Sequence, residues 1–254
     1  MAFNPAMQFG IKEVADVAFY KVGDIVYDAT TGTVKPREFT EQEKTDLKQG
    51  ARLDIKPVLK FDTLKTSGLE FTGETTEARG GKGNTVLMSW DHSREATLTL
   101  EDALLSAESL AAMLSNTGAN AIGEDKIVIS VDAKGFPDTY TVVGKTYARE
   151  AGGADHLLTF LIFKAKVNSE ANFEMSADGD PSTLNMTLKV LRCIETEETE
   201  LGCESGDMVK LIIDKNDSDN GDIAPDTTFF TNRYIIKGTD NKVTEYLDGK
   251  KVTA

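Results

Sequence analysis

The chain has 254 residues, 40% hydrophobic and 28% charged, with 42 acidic against 28 basic side chains and a formal charge of −14. That length suits one large β-rich domain or two small ones with material for a buried core, and 12 phenylalanines argue against a wholly disordered chain. No apolar run approaches the roughly 18–20 residues that span a bilayer. A surface this acidic also excludes the clustered lysine and arginine on which nucleic-acid binding depends. The opening residues, Met1 to Pro5, lack a basic stretch followed by an apolar core. The expectation is therefore a soluble protein made in the cytoplasm.

In chain order, residues 1–55 open with mixed apolar positions. A hairpin follows, running in through Val22–Tyr27, turning at Asp28–Gly32 and leaving through Thr33–Lys35 before Pro36 stops it. The spacing Thr40-x-x-Glu43 is a capping box for a short polar helix reaching about Gln49, with Gly50 at its end. With few large apolar residues, this segment reads as an appendage rather than a core.

Residues 56–192 carry the strongest pattern. Leu69, Phe71 and Gly73 alternate with Glu70, Thr72 and Glu74, the period of a half-buried strand. The glycine-rich loop Arg79, Gly80, Gly81, Lys82, Gly83 and Asn84 joins this strand to Thr85–Trp90. Asp91 to Arg94 reads as a polar turn, after which Ala96, Leu98 and Leu100 face away from Glu95, Thr97 and Thr99. At Ser106 the period changes to that of a short helix, with Ser106 as N-cap and Leu110, Met113 and Leu114 on one face. Strands return at 126–131 and 139–143, and Leu157–Phe163, apolar on both faces, reads as a central, doubly covered strand. A long hairpin closes the segment. Phe173 and Met175 alternate with Asn172 and Glu174, Asp178–Pro181 turns, and Leu184, Met186, Leu188 and Val190 alternate with Asn185, Thr187 and Lys189.

Residues 193–254 form an acidic, β-rich extension. Between Glu195 and Asp222 ten acids stand against two lysines, more than half the net charge of the chain. Strands are expected at 208–213, 233–237 and 242–246. The fold class is thus mainly β, an antiparallel sandwich or barrel with one short flanking helix.

Little in the chain suggests catalysis. The only histidines are His92 and His156, and neither lies beside a nucleophile-elbow pattern. Cys193 and Cys203 have no nearby histidine and no zinc spacing. They could form a disulfide, but a cytoplasmic origin favours two reduced thiols. The loop at 79–84 resembles a phosphate loop only superficially, because Gly83 rather than Ser or Thr follows Lys82 and no helix opens after it. Asp214–Asp222 has the oxygen density of a calcium site. In an EF-hand alignment, however, Asn216 and Thr227 fall where Asp and Glu belong, so it reads as a solvated acidic loop. Trp90 and the phenylalanines read as core. No cofactor, metal or catalytic residue is expected.

Three stretches carry a family resemblance: Gly80–Asn84 leading into Trp90–Leu100, Glu101–Leu110 where a strand runs into a helix, and Lys164–Val167 continuing through Asn172–Leu188. Together they resemble the tail tube, or major tail, proteins of long-tailed bacteriophages. The resemblance implies a β-sandwich with a flanking helix, assembled as hexameric rings that stack into a hollow DNA conduit. It implies as partners other copies of the chain and further tail proteins: tape measure, baseplate, terminator and, in a contractile tail, sheath. DNA would pass without specific binding. On this reading Glu170, Asn172, Glu174, Asn185, Thr187 and Lys189 line the lumen, and the 79–84 loop and the N-terminal segment 1–55 are assembly arms that reach the next ring. The rival expectation is another virion part of the same sandwich type, such as a baseplate, terminator or capsid-decorating protein.

Overall fold

The computed structural model describes residues 9–11, 14–48, 51–103, 106–114, 119–122, 126–129, 137–151, 153–168, 183–214, 232–238, 240 and 242–252. In chain order the elements are β1 (Phe9–Ile11), β2 (Asp16–Lys21), β3 (Ile25–Asp28), β4 (Thr33–Pro36), α1 (Glu41–Asp46), β5 (Arg52–Ile55), β6 (Leu59–Phe61), β7 (Leu64–Gly80) and β8 (Thr85–Asp102). Next come α2 (Ala107–Leu114), β9 (Ala119–Ile122), β10 (Lys126–Ile129), β11 (Thr139–Glu150), β12 (Asp155–Val167) and β13 (Leu184–Leu191). A 3-10 turn (Glu195–Glu197), α3 (Glu198–Leu201), β14 (Val209–Asp214), β15 (Arg233–Lys237), β16 (Val243–Leu247) and β17 (Lys250–Lys251) complete the order. The fold is mainly β and antiparallel, as the alternating patterns require, with short helices beside the sheets.

Two compact units share the chain discontinuously. The first takes residues 1–64, 139–164 and 192–254; the second takes 65–138 and 165–191.

In the first unit the main sheet runs β6–β2–β11–β12, with β1 also on β11 and β14 on β12. Val17, Ala18, Phe19 and Tyr20 of β2 are all buried, so both faces of that strand are covered. On one face Phe19 meets Phe61 and Tyr140, with ring centroids 5.2 and 5.5 Å apart. On the other, Ala18, Tyr20, Val143, Leu161 and Phe163 pack against Ile25 of the β3–β4 hairpin and against Cys193, Leu201 and Cys203. This layering is sandwich-like, and it corrects the expectation that the N-terminal residues are an appendage. Four consecutive apolar residues give no period, yet β2 pairs antiparallel along Tyr140–Lys145 of β11. The 22–35 hairpin forms as expected, and β12 is buried along nearly its whole length.

Gly144 of β11 lies directly against the Phe160 ring of β12. A Cβ there would run into the Phe160 ring, so only glycine admits that aromatic residue. The ring in turn belongs to the strand that carries the core residues Leu161 and Phe163.

The capping box at α1 is complete. Thr40 Oγ1 accepts from the Glu43 N–H at 3.2 Å, and the Thr40 N–H donates to Glu43 at 2.8 Å. Helix α1 buries none of its own residues. Its flanks, Phe39 and Leu47, seat it on Ile55 and Ile235 in a second small core. That core lies in the sheet β17–β16–β15–β5. Tyr234 and Tyr246 stack at 4.9 Å in the same sheet, with the Arg52 guanidinium 3.8 Å above the Tyr234 ring. Arg37 grips Glu43 through two N–H donors at 2.7 and 2.8 Å. This hydrogen-bonded pairing holds the Glu43 carboxyl at about 2, below its ordinary 4.5.

In the second unit the end of β12, Ala165–Val167, is followed by β13, β8 and β7 in that order. Leu184, Met186, Leu188 and Val190 of β13 are buried, as are Ala96, Leu98 and Leu100 of β8. Ser106 caps α2, its Oγ accepting from the Ser109 N–H at 3.0 Å. The first arm of the expected 168–191 hairpin lies outside the described residues.

Two outcomes follow. Gly144→Ala should lower stability by roughly 2–3 kcal/mol through overpacking, read as a shift in the urea midpoint, and adding Phe160→Leu should recover part of the loss. Because the Glu43 carboxyl is depressed in the folded state, its contribution is complete above about pH 4.5 and fades as the pH falls toward 2. The acid-side slope of stability should therefore flatten in Arg37→Ala.

Candidate assembly surfaces

Strands β7 and β8 form a hairpin of 17 and 18 residues. Their bases belong to the half-buried sheet, but from Glu70 to Glu77 and from Thr85 to Glu95 every residue is exposed. The glycine-rich stretch is the tip of this ribbon. Gly81 and Gly83 have φ of 78° and 99° and Asn84 has 51°, and the Asn84 N–H returns to the Gly81 carbonyl at 3.2 Å. Arg79 and Gly80 end β7, with Arg79 bound to the neighbouring Glu77 at 2.6 Å. The region expected as a loose polar loop is thus a four-residue turn between two long strands. It has the positive-φ residues that such a turn demands.

Asp91 to Arg94 does not turn the chain. It lies inside β8, and the feature that mimics a turn is Ser93, whose φ of 55° is left-handed in the midst of a strand. Thr75 donates to Asp91 at 2.7 Å, while His92 shares hydrogen bonds with Thr76 at 2.7 Å and Ser93 at 3.0 Å. Glu74 stands 3.6 Å from the His92 ring. Phe71, Glu74, Thr75, Asp91, His92 and Arg94 line an open depression on the hairpin.

Beyond Ser93 the hairpin is greasy as well as exposed. Leu87 is 65% accessible, Met88 58%, Trp90 48% and Val86 44%, with Phe71 at 43% on the facing strand. Trp90 and Phe71 are therefore not core, which corrects the sequence expectation. Hydrophobicity marks both core and docking surface, and only the exposed setting tells them apart.

Of the six residues expected to line a lumen, Glu170, Asn172 and Glu174 lie outside the described residues. Asn185, Thr187 and Lys189 are exposed on β13, between the buried Leu184, Met186, Leu188 and Val190. Opposite them in register stand Glu101, Thr99 and Thr97 of β8. Lys189 binds Glu95 at 2.9 Å. A polar face two strands wide results, and the pairing of its β8 half with β13 comes from the register. The β8 half is the polar side of the alternation at Glu95, Thr97 and Thr99.

Among the described residues no cluster of three or more His, Cys, Asp or Glu side chains could hold a metal. No helix among them is long and apolar enough to cross a membrane. Of the acidic 214–222 stretch only Asp214 is described.

The chain matches a family model, described as the YomU/Tube protein family, over residues 45–124 and 120–202. The chain belongs to the YomU/Tube protein family. No individual curated protein matches it. The matched span runs from the end of α1 through α3, taking in the long hairpin and the two-strand polar face. Family membership agrees with the resemblance to phage tail tube proteins: the chain is a structural component of a phage tail tube, and so of the virion tail.

The strain at Ser93 makes a direct prediction for this tube-family hairpin. Ser93→Gly should be neutral or stabilising by up to about 1 kcal/mol, and Ser93→Val should cost roughly 1–2 kcal/mol, both read from denaturant midpoints.

Proposed function

We propose that the chain forms the tail tube itself, assembling in the host cytoplasm as hexameric rings that stack into a hollow conduit for DNA delivery. The observation that carries this reading is the β7–β8 hairpin. It ends its sheet in a 17-residue edge strand and leaves Phe71, Val86, Leu87, Met88 and Trp90 to solvent. Exposed edges and exposed apolar surface are both hazards for a monomer and both resources for a polymer. Neighbouring copies satisfy the edge and cover the apolar side chains. A ring contact of this kind is heterologous and closes by rotation, while ring-on-ring stacking remains open-ended.

The polar face of β13 and β8 is the lumen wall in this scheme. Asn185, Thr187, Lys189, Thr97, Thr99 and Glu101 look onto DNA, with Glu170, Asn172 and Glu174 as further lumen residues. The stretch Arg79–Asn84, the end of β7 and the turn at the tip of the hairpin, reaches the adjacent ring. Tape measure, terminator and baseplate proteins are the expected partners at the lumen and the tube ends.

Electron microscopy of the purified chain tests the reading, with long hollow tubes expected and isolated monomers or single rings overturning it. In the triple variant Val86→Thr, Met88→Thr, Trp90→Thr the fold should persist with a stability change under about 1 kcal/mol, since these side chains are exposed. Tube growth should stop. A reconstruction with Met186 and Leu188 facing the channel would refute the lumen assignment.

A further inference from the structure

The hairpin and the polar face leave one cluster of reactive groups unused. Cys193 and Cys203 are 1% and 5% exposed, both inside the core formed by Ala18, Tyr20, Ile25, Val143, Leu161 and Phe163. Ten residues of chain bring them together. The Cys193 N–H donates to the Asp207 carbonyl at 2.7 Å and the Gly206 N–H donates to the Cys193 carbonyl at 3.0 Å, closing the base of the loop. Inside it, the Ile194 N–H and the Lys164 ammonium, at 3.1 and 2.6 Å, fix Glu197. Helix α3 then ends on Gly202, whose φ of 66° and close approach to the Tyr27 carbonyl leave no room for a Cβ. That turn places Cys203 in the same buried core cluster as Cys193, where its thiol donates to the Glu197 carbonyl at 3.8 Å. Both are free thiols.

We propose that Cys193 and Cys203 form an oxidisable pair, a dithiol that becomes an intramolecular disulfide once the protein leaves a reducing compartment. The inference does not depend on tube assembly. The step is thiol–disulfide exchange with a small-molecule disulfide. One cysteine thiolate attacks the oxidant, forming a mixed disulfide and releasing one thiol. The other cysteine displaces the second thiol and closes the protein disulfide. The protein loses two protons and two electrons, and the oxidant disulfide is reduced to two thiols. Glutathione keeps the pair reduced inside the cell.

Burial controls the rate. It pushes both thiols above their ordinary range, and for Cys193 the neighbouring Cys203 adds to the effect. Thiolate is therefore scarce, and exchange waits for the 193–207 loop to open locally. The device is slow by construction, which suits a clamp that sets after release rather than during synthesis. Once closed, it staples the loop to the core that holds β2, β3 and β12.

The full chain, equilibrated with oxidised glutathione in urea below its unfolding midpoint so that loop opening is not limiting, should lose two hydrogens in intact mass. Digestion should yield one fragment linked through Cys193 and Cys203, and the melting temperature should rise by roughly 5–10 °C over the reduced form. Cys203→Ala, compared with its own reduced form, should show no such rise. Two thiols that remain free at equilibrium, or that end as glutathione adducts or intermolecular dimers, would overturn the proposal.

Discussion

Along Leu64–Gly80, β7 hydrogen-bonds to β8 on one side and to no described strand on the other. An edge that long presents a row of backbone donors and acceptors that water alone must satisfy, and it offers any complementary strand a template. Soluble monomers blunt such edges with proline, short strands or bulges. Here β7 carries no proline and runs unbroken for 17 residues. It is instead studded with Glu70, Glu74 and Glu77 between Lys65 and Arg79. Charges of this kind do not forbid pairing; they restrict it to partners with matching charge and register. The one irregularity, Ser93, lies on the other strand, so the edge itself stays available.

The same constraint accounts for what the interior does. A long projecting hairpin needs a stiff base, and the base of β8 is stiff because Ala96, Leu98 and Leu100 interlock with the buried side chains of β13. In the first unit rigidity comes from close approach: Phe160 over Gly144, and Gly202 against the Tyr27 carbonyl, are contacts that admit no extra atom. Native interiors hold such contacts at crystal-like density and resist any change of volume there. Glycine is used in opposite senses across the molecule, for tightness at Gly144 and Gly202 and for reversal at Gly81 and Gly83.

What the sequence makes legible follows from which interactions are local. The period of two at 96–100 and 184–190 is visible because one face of each strand is wet, and the Thr40–Glu43 box is visible because a cap lies within four residues of chain. Strand β2 hides because both faces are buried, which erases the alternation, and because its partner β11 begins about 120 residues later. The continuity of β8 hides behind Asp91, His92 and Ser93, residues that favour turns but here support one left-handed position in a strand. The exposure of Trp90 and Met88 is illegible in principle. Burial inside a subunit and burial between subunits select the same side chains. The closeness of Cys193 and Cys203 depends on the path of α3, which no ten-residue spacing specifies.

The charges on the polar face fit its proposed role as a lumen wall. A wall that lets a polyanion slide must offer its phosphates no unoccupied cation, because each phosphate contact adds affinity through counterion release. On the described β8 and β13 portions of that face, Lys189 is the cation, and Glu95 already binds it at 2.9 Å. The pair is exposed and contributes little to stability. Its value lies in occupancy: a phosphate approaching Lys189 must displace Glu95 and then sit beside it. Threonine and asparagine fill the remaining positions, keeping the wall wet without adding charge. On the proposed conduit reading, a net charge of −14 works against holding DNA and favours its passage.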